Sequence, residues 1–351
     1  MKRIIIIMLL IIPVRVKCLS VSATSAILMD TDNNRVIYSK NIHEVRSVAS
    51  ISKIMTAVLA IESGKLDEEV KINNTIKKAY GSAIYISVGE KIKLRDLVYG
   101  LMLRSGNDAA LAIADYVGGS VENFVSMMNH KADEIGMKNS KFNNPSGLDE
   151  EAANFSTAYD MAILTSYAMK LNDYKKIVKT KEYKLNTNKN NYVWKNKNKL
   201  LRIYKYTTGG KTGYTKKAKR TLVTTASRNK VNLVSVTLND GNDFLDHIDM
   251  FNFGFENYKR YNILKKGLLN IYDERYYKQY SLYIKKSFNY ILSEEEKNLI
   301  NIKYSIIKKK NFKNNDKIGE AIVKLGDMNI YTENIYIKKK KTSKSRKWFS
   351  W

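Results

Sequence analysis

The 351-residue chain has one cysteine and three histidines, and it is short of acids: 34 Asp and Glu stand against 61 Lys and Arg. Each shortage excludes something. A lone cysteine, Cys18, rules out an intrachain disulfide, so the fold rests on its core. His43, His130 and His247 have no metal-ligand spacing and read as structural or surface residues. No phosphate-binding glycine loop is present. Long apolar runs are also missing, apart from Ile4 to Val14 behind a basic Met1-Lys2-Arg3. That run is too short to span a bilayer comfortably and suits a secretory leader, with cleavage expected after Cys18, Ser20 or Ala23. Cys18 lacks the preceding small-residue pattern of a lipoprotein.

The formal charge of +27 favours polyanions such as anionic lipid headgroups or an anionic cell wall, or it marks a solvated basic surface with no single partner. Export makes nucleic acid an improbable target. The expected location is extracytoplasmic, in the wall or at the outer face of the cytoplasmic membrane.

Periodicity gives the organisation. "SAILMDTDNNRVIYSKN" reads as two strands joined at Asp32-Asn33-Asn34. In "SVASISKIMTAVLAIESGK" the residues Ile54, Val58, Leu59 and Ile61 have helical spacing, from a start at Ser50 to a stop at Ser63-Gly64. "LRDLVYGLML" and "DAALAIADYVGG" predict two helices separated by "RSGN", and "VENFVSMMNHKADEIGM" predicts another. Ser156 or Thr157 is expected to cap a further helix, and the Lys/Asn-rich stretch 171–200 to be a solvated excursion. From 207 the pattern turns to strands, "TTGGKTGYT" and "TLVTTASRNKVNLVSVTL", before a helix in "DFLDHIDMFNFGFENY". Strands at both ends around a helical middle imply an α+β fold in which terminal strands share one antiparallel sheet flanked by the helices. The expected division is a leader at 1–23, a main domain at 24–258, a small β-rich domain at 263–337, and a basic tail at 338–351 closing on "WFSW".

Three short motifs carry chemistry in conjunction: Ser50-x-x-Lys53 at a helix start, Ser105-Gly106-Asn107 between two helices, and Lys211-Thr212-Gly213 on a strand. A serine is a poor nucleophile without a base. Lys53, three residues on, shares its face and acts as a base once desolvation or a neighbouring cation such as Lys211 lowers its pKa. The helix start offers N–H groups to an oxyanion. Ser105 could relay the proton to a leaving amine and Asn107 orient a peptide amide. Lys211 and Thr212 would hold a substrate carboxylate, and Gly213 would let substrate backbone lie against the strand. Taken singly, Ser50 also reads as a plain helix cap and Lys53 as a solvated side chain. Ser52, beside Lys53 in sequence, points to another face as a packing or hydrogen-bonding residue.

These motifs, with "GSAIYISVGEKIKLRDLVYGLMLRSGNDAALAIADYVGG", "NNPSGLDEEAANFSTAYDMA" and "GGKTGYTKKAKRTLVTTA", resemble the serine D-alanyl-D-alanine carboxypeptidases, the low-molecular-mass penicillin-binding proteins. The resemblance covers about residues 24–258, and 263–337 looks like that family's small β domain. It implies a β-lactamase/transpeptidase-like fold and removal of the terminal D-alanine from peptidoglycan stem peptides through an acyl-serine at Ser50, with Lys53 as base. It adds an oxyanion hole from the backbone N–H groups of Ser50 and Tyr214, acylation of Ser50 by β-lactams, and no metal or cofactor. A D,D-endopeptidase, a β-lactamase using Glu150 with Asn154, and a non-catalytic wall-binding protein are the alternatives. The chain departs from the family pattern at Gly209-Gly210, where an Asp often precedes the glycine, and at Lys219, where a Gly often stands. In place of a long amphipathic membrane helix it carries the short tail, whose Trp348, Phe349 and Trp351 beside lysines suit contact with an anionic membrane surface.

Overall fold

A computed structural model describes residues 19–149, 152–271, 274–308 and 311–340. Residues 1–18 of the expected leader, Cys18 among them, Glu150 and residues 341–351 of the tail lie outside these.

The chain opens with β1 (Ser25–Asp30) and β2 (Val36–Lys40), then enters α1 (Lys53–Glu62), α2 (Leu94–Arg104), α3 (Asn107–Gly118), α4 (Val121–Ile135), α5 (Ala158–Ala168) and α6 (Asn172–Lys179). A hairpin of β3 (Glu182–Asn186) and β4 (Asn191–Lys195) follows. The chain then returns as β5 (Thr207–Thr215), β6 (Lys219–Arg228) and β7 (Val231–Leu238) before α7 (Asp243–Asn257). The main sheet is antiparallel with order β2-β1-β7-β6-β5, so the terminal strands do meet. All six residues of β1 are buried because both sheet faces are covered: α5 packs on one and α7 on the other. A strand with two covered faces loses the in–out alternation of a half-exposed one. The larger core fills the space between sheet and helices, from Ile54 and Val58 on α1 to Leu97 and Leu101 on α2. A second cluster, including Leu28, Leu233 and Phe251, lies under α7.

Two details differ from the sequence reading. Ser50 does not cap α1. It sits in a tight 3-10 turn, Ala49–Ser52, ahead of the α-helix, and no side chain caps either element. Ala49 turns into it with φ +50, a left-handed conformation that stores strain in a residue with a Cβ. Nor is 171–200 a solvated excursion. Tyr174, Ile177 and Val178 bury one face of α6, and Trp194, Asn196 and Asn198 are buried beyond it. Lysine and asparagine dominate the composition there, but the sparse apolar residues recur at helical spacing and decide the packing. The remaining expected elements are present, with Thr157 capping α5 by accepting the Asp160 N–H. Ser52 lies buried and donates to the Ala49 carbonyl at 2.9 Å. His247, locked between Thr224 and Thr237, is a core histidine whose pKa burial pushes down to about 3.

Beyond α7 the chain forms β8 (Lys259–Leu264), β9 (Tyr280–Ile284), β10 (Phe288–Leu292), β11 (Ile300–Ile306), β12 (Lys317–Leu325) and β13 (Met328–Lys339). These surround a core of their own that includes Leu282, Phe288, Val323 and Ile335. Arg35, in the β1–β2 turn, ties this region to the main sheet. Its guanidinium lies between the Tyr258 and Tyr290 rings and donates to the Ile291 carbonyl and Glu296. No helix of the described residues is long and apolar enough to cross a membrane.

Candidate active site

Two structural accidents of sequence bring the three motifs together. Gly213 on β5 lies so close to the 3-10 turn that a Cβ there would stand 3.1 Å from the Ser50 and Ile51 amide nitrogens and collide with Thr221 Oγ1. Only glycine permits that approach, and Thr221, on the neighbouring strand, holds the turn by donating to the Val48 carbonyl at 3.1 Å. The glycine thus seats the protein's own turn against the strand. On the other side, Ser105 ends α2 in a left-handed conformation, φ +66, which lets α3 restart at Asn107. The buried Asp108 fixes this corner by accepting N–H groups from Ile84 (3.0 Å) and Tyr85 (2.7 Å).

The result is a cleft of about 440 Å³ lined by Ser50, Ser82, Ser105, Thr212, Gly213 and Tyr214, and also by Lys197, Lys199, Arg220, Asp243 and Phe244. Lys53, fully buried, lies beneath it with Nζ 3.2 Å from Ser50 Oγ. The same amine donates to Asn107 Oδ1 at 2.6 Å and to the Ser146 carbonyl. Ser146 belongs to the loop after α4, which is braced by Asn144, Asn154 and Thr56. Asn107 spends one N–H of its amide nitrogen on the Tyr80 carbonyl at 2.6 Å, which turns its oxygen to Lys53 and leaves the second N–H of the nitrogen. Lys211 is also buried, its Nζ donating to the Thr212 carbonyl at 2.6 Å.

Burial dominates the electrostatics. It holds the Lys53 amine well below the usual lysine range, reinforced by the nearby Lys211 and Lys197 ammoniums and opposed by Asp108. Burial, with Lys197 as the next cause, pushes Lys211 down to about 7. Lys197 therefore acts on both lysines, and sequence reasoning missed it. The available signal was the alternation "KNKNK" at 195–199, in which Asn196 and Asn198 are buried and the lysines face outward.

Hydrogen-bond bookkeeping shows what the amine can do. A charged Lys53 has three donors for its three acceptors. A neutral one has two donors and a lone pair, so one contact must reverse. The Ser146 carbonyl can only accept, and Asn107 presents its oxygen because its nitrogen is committed to Tyr80. The Ser50 hydroxyl alone can turn donor. Neutral Lys53 is therefore placed to take the Ser50 O–H at 3.2 Å, closer than the hydroxyl's other acceptor, the Ser146 carbonyl at 3.5 Å. That is the geometry of a nucleophile with its base. Among the described residues, no group of three or more His, Cys, Asp or Glu could hold a metal ion.

A family model for D-alanyl-D-alanine carboxypeptidase matches residues 13–242, more than half of the chain, and one for the C-terminal domain of penicillin-binding protein 5 matches 258–343. The chain is similar to the D-alanyl-D-alanine carboxypeptidase DacF of Bacillus subtilis, 35% identical over 254 residues, which cover 70% of this chain and 65% of that protein. A D-alanyl-D-alanine carboxypeptidase of a Streptomyces species is 34% identical over 62% of this chain and 81% of its own length. The match to the first thus spans just under two thirds of its length. Among solved structures, penicillin-binding protein 5 of Haemophilus influenzae superposes with a TM-score of 0.76 at 25% identity, over 91% of this chain and 97% of that one. A variant of the Streptomyces K15 DD-transpeptidase gives 0.64 at 32% identity, over 68% and 99%. With its fold, its two family matches and the convergence of the three motifs in one cleft, the chain belongs to the D-alanyl-D-alanine carboxypeptidase family of serine peptidases.

Proposed function

We propose that the chain removes the C-terminal D-alanine from peptidoglycan stem peptides outside the cytoplasm, in cell-wall maturation, and that residues 24–258 carry the reaction while 263–337 form a separate small domain. The observation that carries this is the Lys53 amine, buried 3.2 Å from Ser50 Oγ and placed to take its proton. Ser50 Oγ attacks the carbonyl of the penultimate D-alanine as its proton passes to Lys53. The backbone N–H groups of Ser50 and Tyr214 meet the developing oxyanion. The peptide C–N bond breaks as Ser105 relays the proton to the departing amine, leaving an acyl ester on Ser50. Water then attacks the ester and restores the serine. Lys211 and Thr212 hold the substrate's terminal carboxylate, and Asn107 orients the peptide amide while its oxygen fixes Lys53. A β-lactam enters the same path as a substrate mimic and stays on Ser50.

The test is incubation with a diacyl tripeptide ending in D-Ala-D-Ala, measuring released D-alanine. Ser50→Ala abolishes both release and labelling by a fluorescent penicillin. Release that persisted in that variant would sink the assignment.

A further inference from the structure

The cleft carries more cation than the terminal carboxylate of a D-Ala-D-Ala peptide requires. Lys197 and Lys199 line it from the segment after β4, and Arg220 lines it from β6. Arg220 is already neutralised: Asp243, its side chain 5% exposed, takes both Nε (3.1 Å) and a terminal nitrogen of the guanidinium. No carboxylate lies within ion-pair distance of Lys197 or Lys199 among the described residues. The nearest polar partner of Lys197 is the Ser82 hydroxyl at 3.2 Å, across the cleft mouth.

The backbone that presents these lysines is held on every side. Asn196 Nδ2 donates to the Thr180 carbonyl at 3.0 Å, and Asn196 Oδ1 accepts the Asn198 N–H at 2.9 Å. Asn198 Oδ1 accepts the Leu200 N–H at 3.1 Å, and the Lys197 N–H reaches the Leu103 carbonyl at 3.1 Å. Buried asparagines alternating with outward lysines fix the backbone from which both lysines reach the cleft. The arrangement is also unfavourable without a ligand, since Lys197 sits partly desolvated near Arg104, which lowers its pKa. Cations lining a substrate cleft without a carboxylate partner attract an anion and repel a cation.

We propose that Lys197 and Lys199 form a second carboxylate subsite, which makes the protein selective for stem peptides bearing a free carboxylate on the residue before D-Ala-D-Ala, over amidated or cationic ones. This rests on the carboxypeptidase reading above and deepens it. The pair is specificity-determining, and Lys197 also acts electrostatically on Lys53 and Lys211.

The experiment uses three acetylated tripeptides X-D-Ala-D-Ala with X as L-glutamate, L-glutamine or L-lysine, so that only the side-chain charge changes. In low salt kcat/KM falls in the order glutamate, glutamine, lysine, with about tenfold between the first two, as expected for two ammoniums near one carboxylate in the cleft. The gap narrows at high salt. In Lys197→Met/Lys199→Met the glutamate-to-glutamine ratio falls to about one, and in Lys197→Arg/Lys199→Arg it is retained, the charge being kept. Taking the ratio within each variant cancels any effect of Lys197 on Lys53 and Lys211. Equal wild-type rates on glutamate and glutamine peptides would overturn the proposal, as would a ratio that survived the double methionine variant. D-alanine release from none of the three would instead refute the carboxypeptidase reading.

Discussion

Replacing the buried Lys211 by methionine, which nearly matches its length, is expected to stabilise the fold while removing a proposed substrate contact. In the folded protein the Lys211 amine titrates near 7, against an ordinary value of 10.5. Between those two values an unfolded chain holds a proton that the folded chain lacks, so stability rises with pH across that window. Below about 7 the lysine is charged in both states and the full cost of burying an ammonium is present. The two values lie about 3.5 pH units apart, and at about 1.4 kcal/mol for each unit the cost is about 5 kcal/mol. Methionine removes that cost and forfeits the hydrogen bond to the Thr212 carbonyl, worth about 1 kcal/mol. The net gain at pH 6 is therefore about 3–4 kcal/mol, or a Tm raised by about 6–8 °C in a chain of this size. At pH 10 the gain is close to zero. Lys53 contributes in the same direction, since Lys211 is the largest charge acting on it. Calorimetry of wild type and variant at pH 6 and pH 10 reads the effect. A variant less stable than wild type at both pH values, or more stable by the same amount at both, would refute the reasoning.

Two further substitutions test the backbone around the site. Gly147 has φ +80, and a Cβ there would collide with the Ala49 carbonyl and stand 2.5 Å from Ser52 Oγ. Gly147→Ala is therefore expected to cost about 2–4 kcal/mol and to slow penicillin labelling by shifting the Ser50 turn; a variant with unchanged Tm and labelling rate would contradict this. Lys219 adopts φ +59 at the first position of β6, so Lys219→Gly is expected to stabilise by about 0.5–1 kcal/mol, the relieved left-handed strain outweighing the added chain entropy. A lower Tm for that variant would count against the strained geometry.

Most of the fold was legible because its signals are local. The hairpin turns, the Ser63-Gly64 stop, the polar break at Ser105-Gly106 and the apolar periods of α1 to α4 are each written within a few residues. The 171–200 segment was misread because composition hid a short amphipathic helix. Its companion evidence is not local at all: Gly209 is bare because a Cβ there would collide with Val178 of α6. Gly209 thus makes sense only once α6 is seen lying across β5, and Gly210 only against the Val223 carbonyl of β6.

The site divides along the same line. Ser50, Lys53, Ser105, Thr212, Gly213 and Tyr214 could be named from spacing and resemblance, and the structure brings them to one cleft with Lys211 buried beside it. What spacing could not supply is which way each group faces. Asn107, expected to orient a peptide amide, gives its oxygen to Lys53 and one amide N–H to the Tyr80 carbonyl. Its engagement is informative because an amide that spends its nitrogen on Tyr80 has only its oxygen left for Lys53. Ser50 is then the donor placed for neutral Lys53. An asparagine free to rotate would let the amine accept from Nδ2 instead and leave the serine proton where it was. The chemistry at Ser50 therefore depends on the Tyr80 carbonyl, an atom no side-chain motif could reveal.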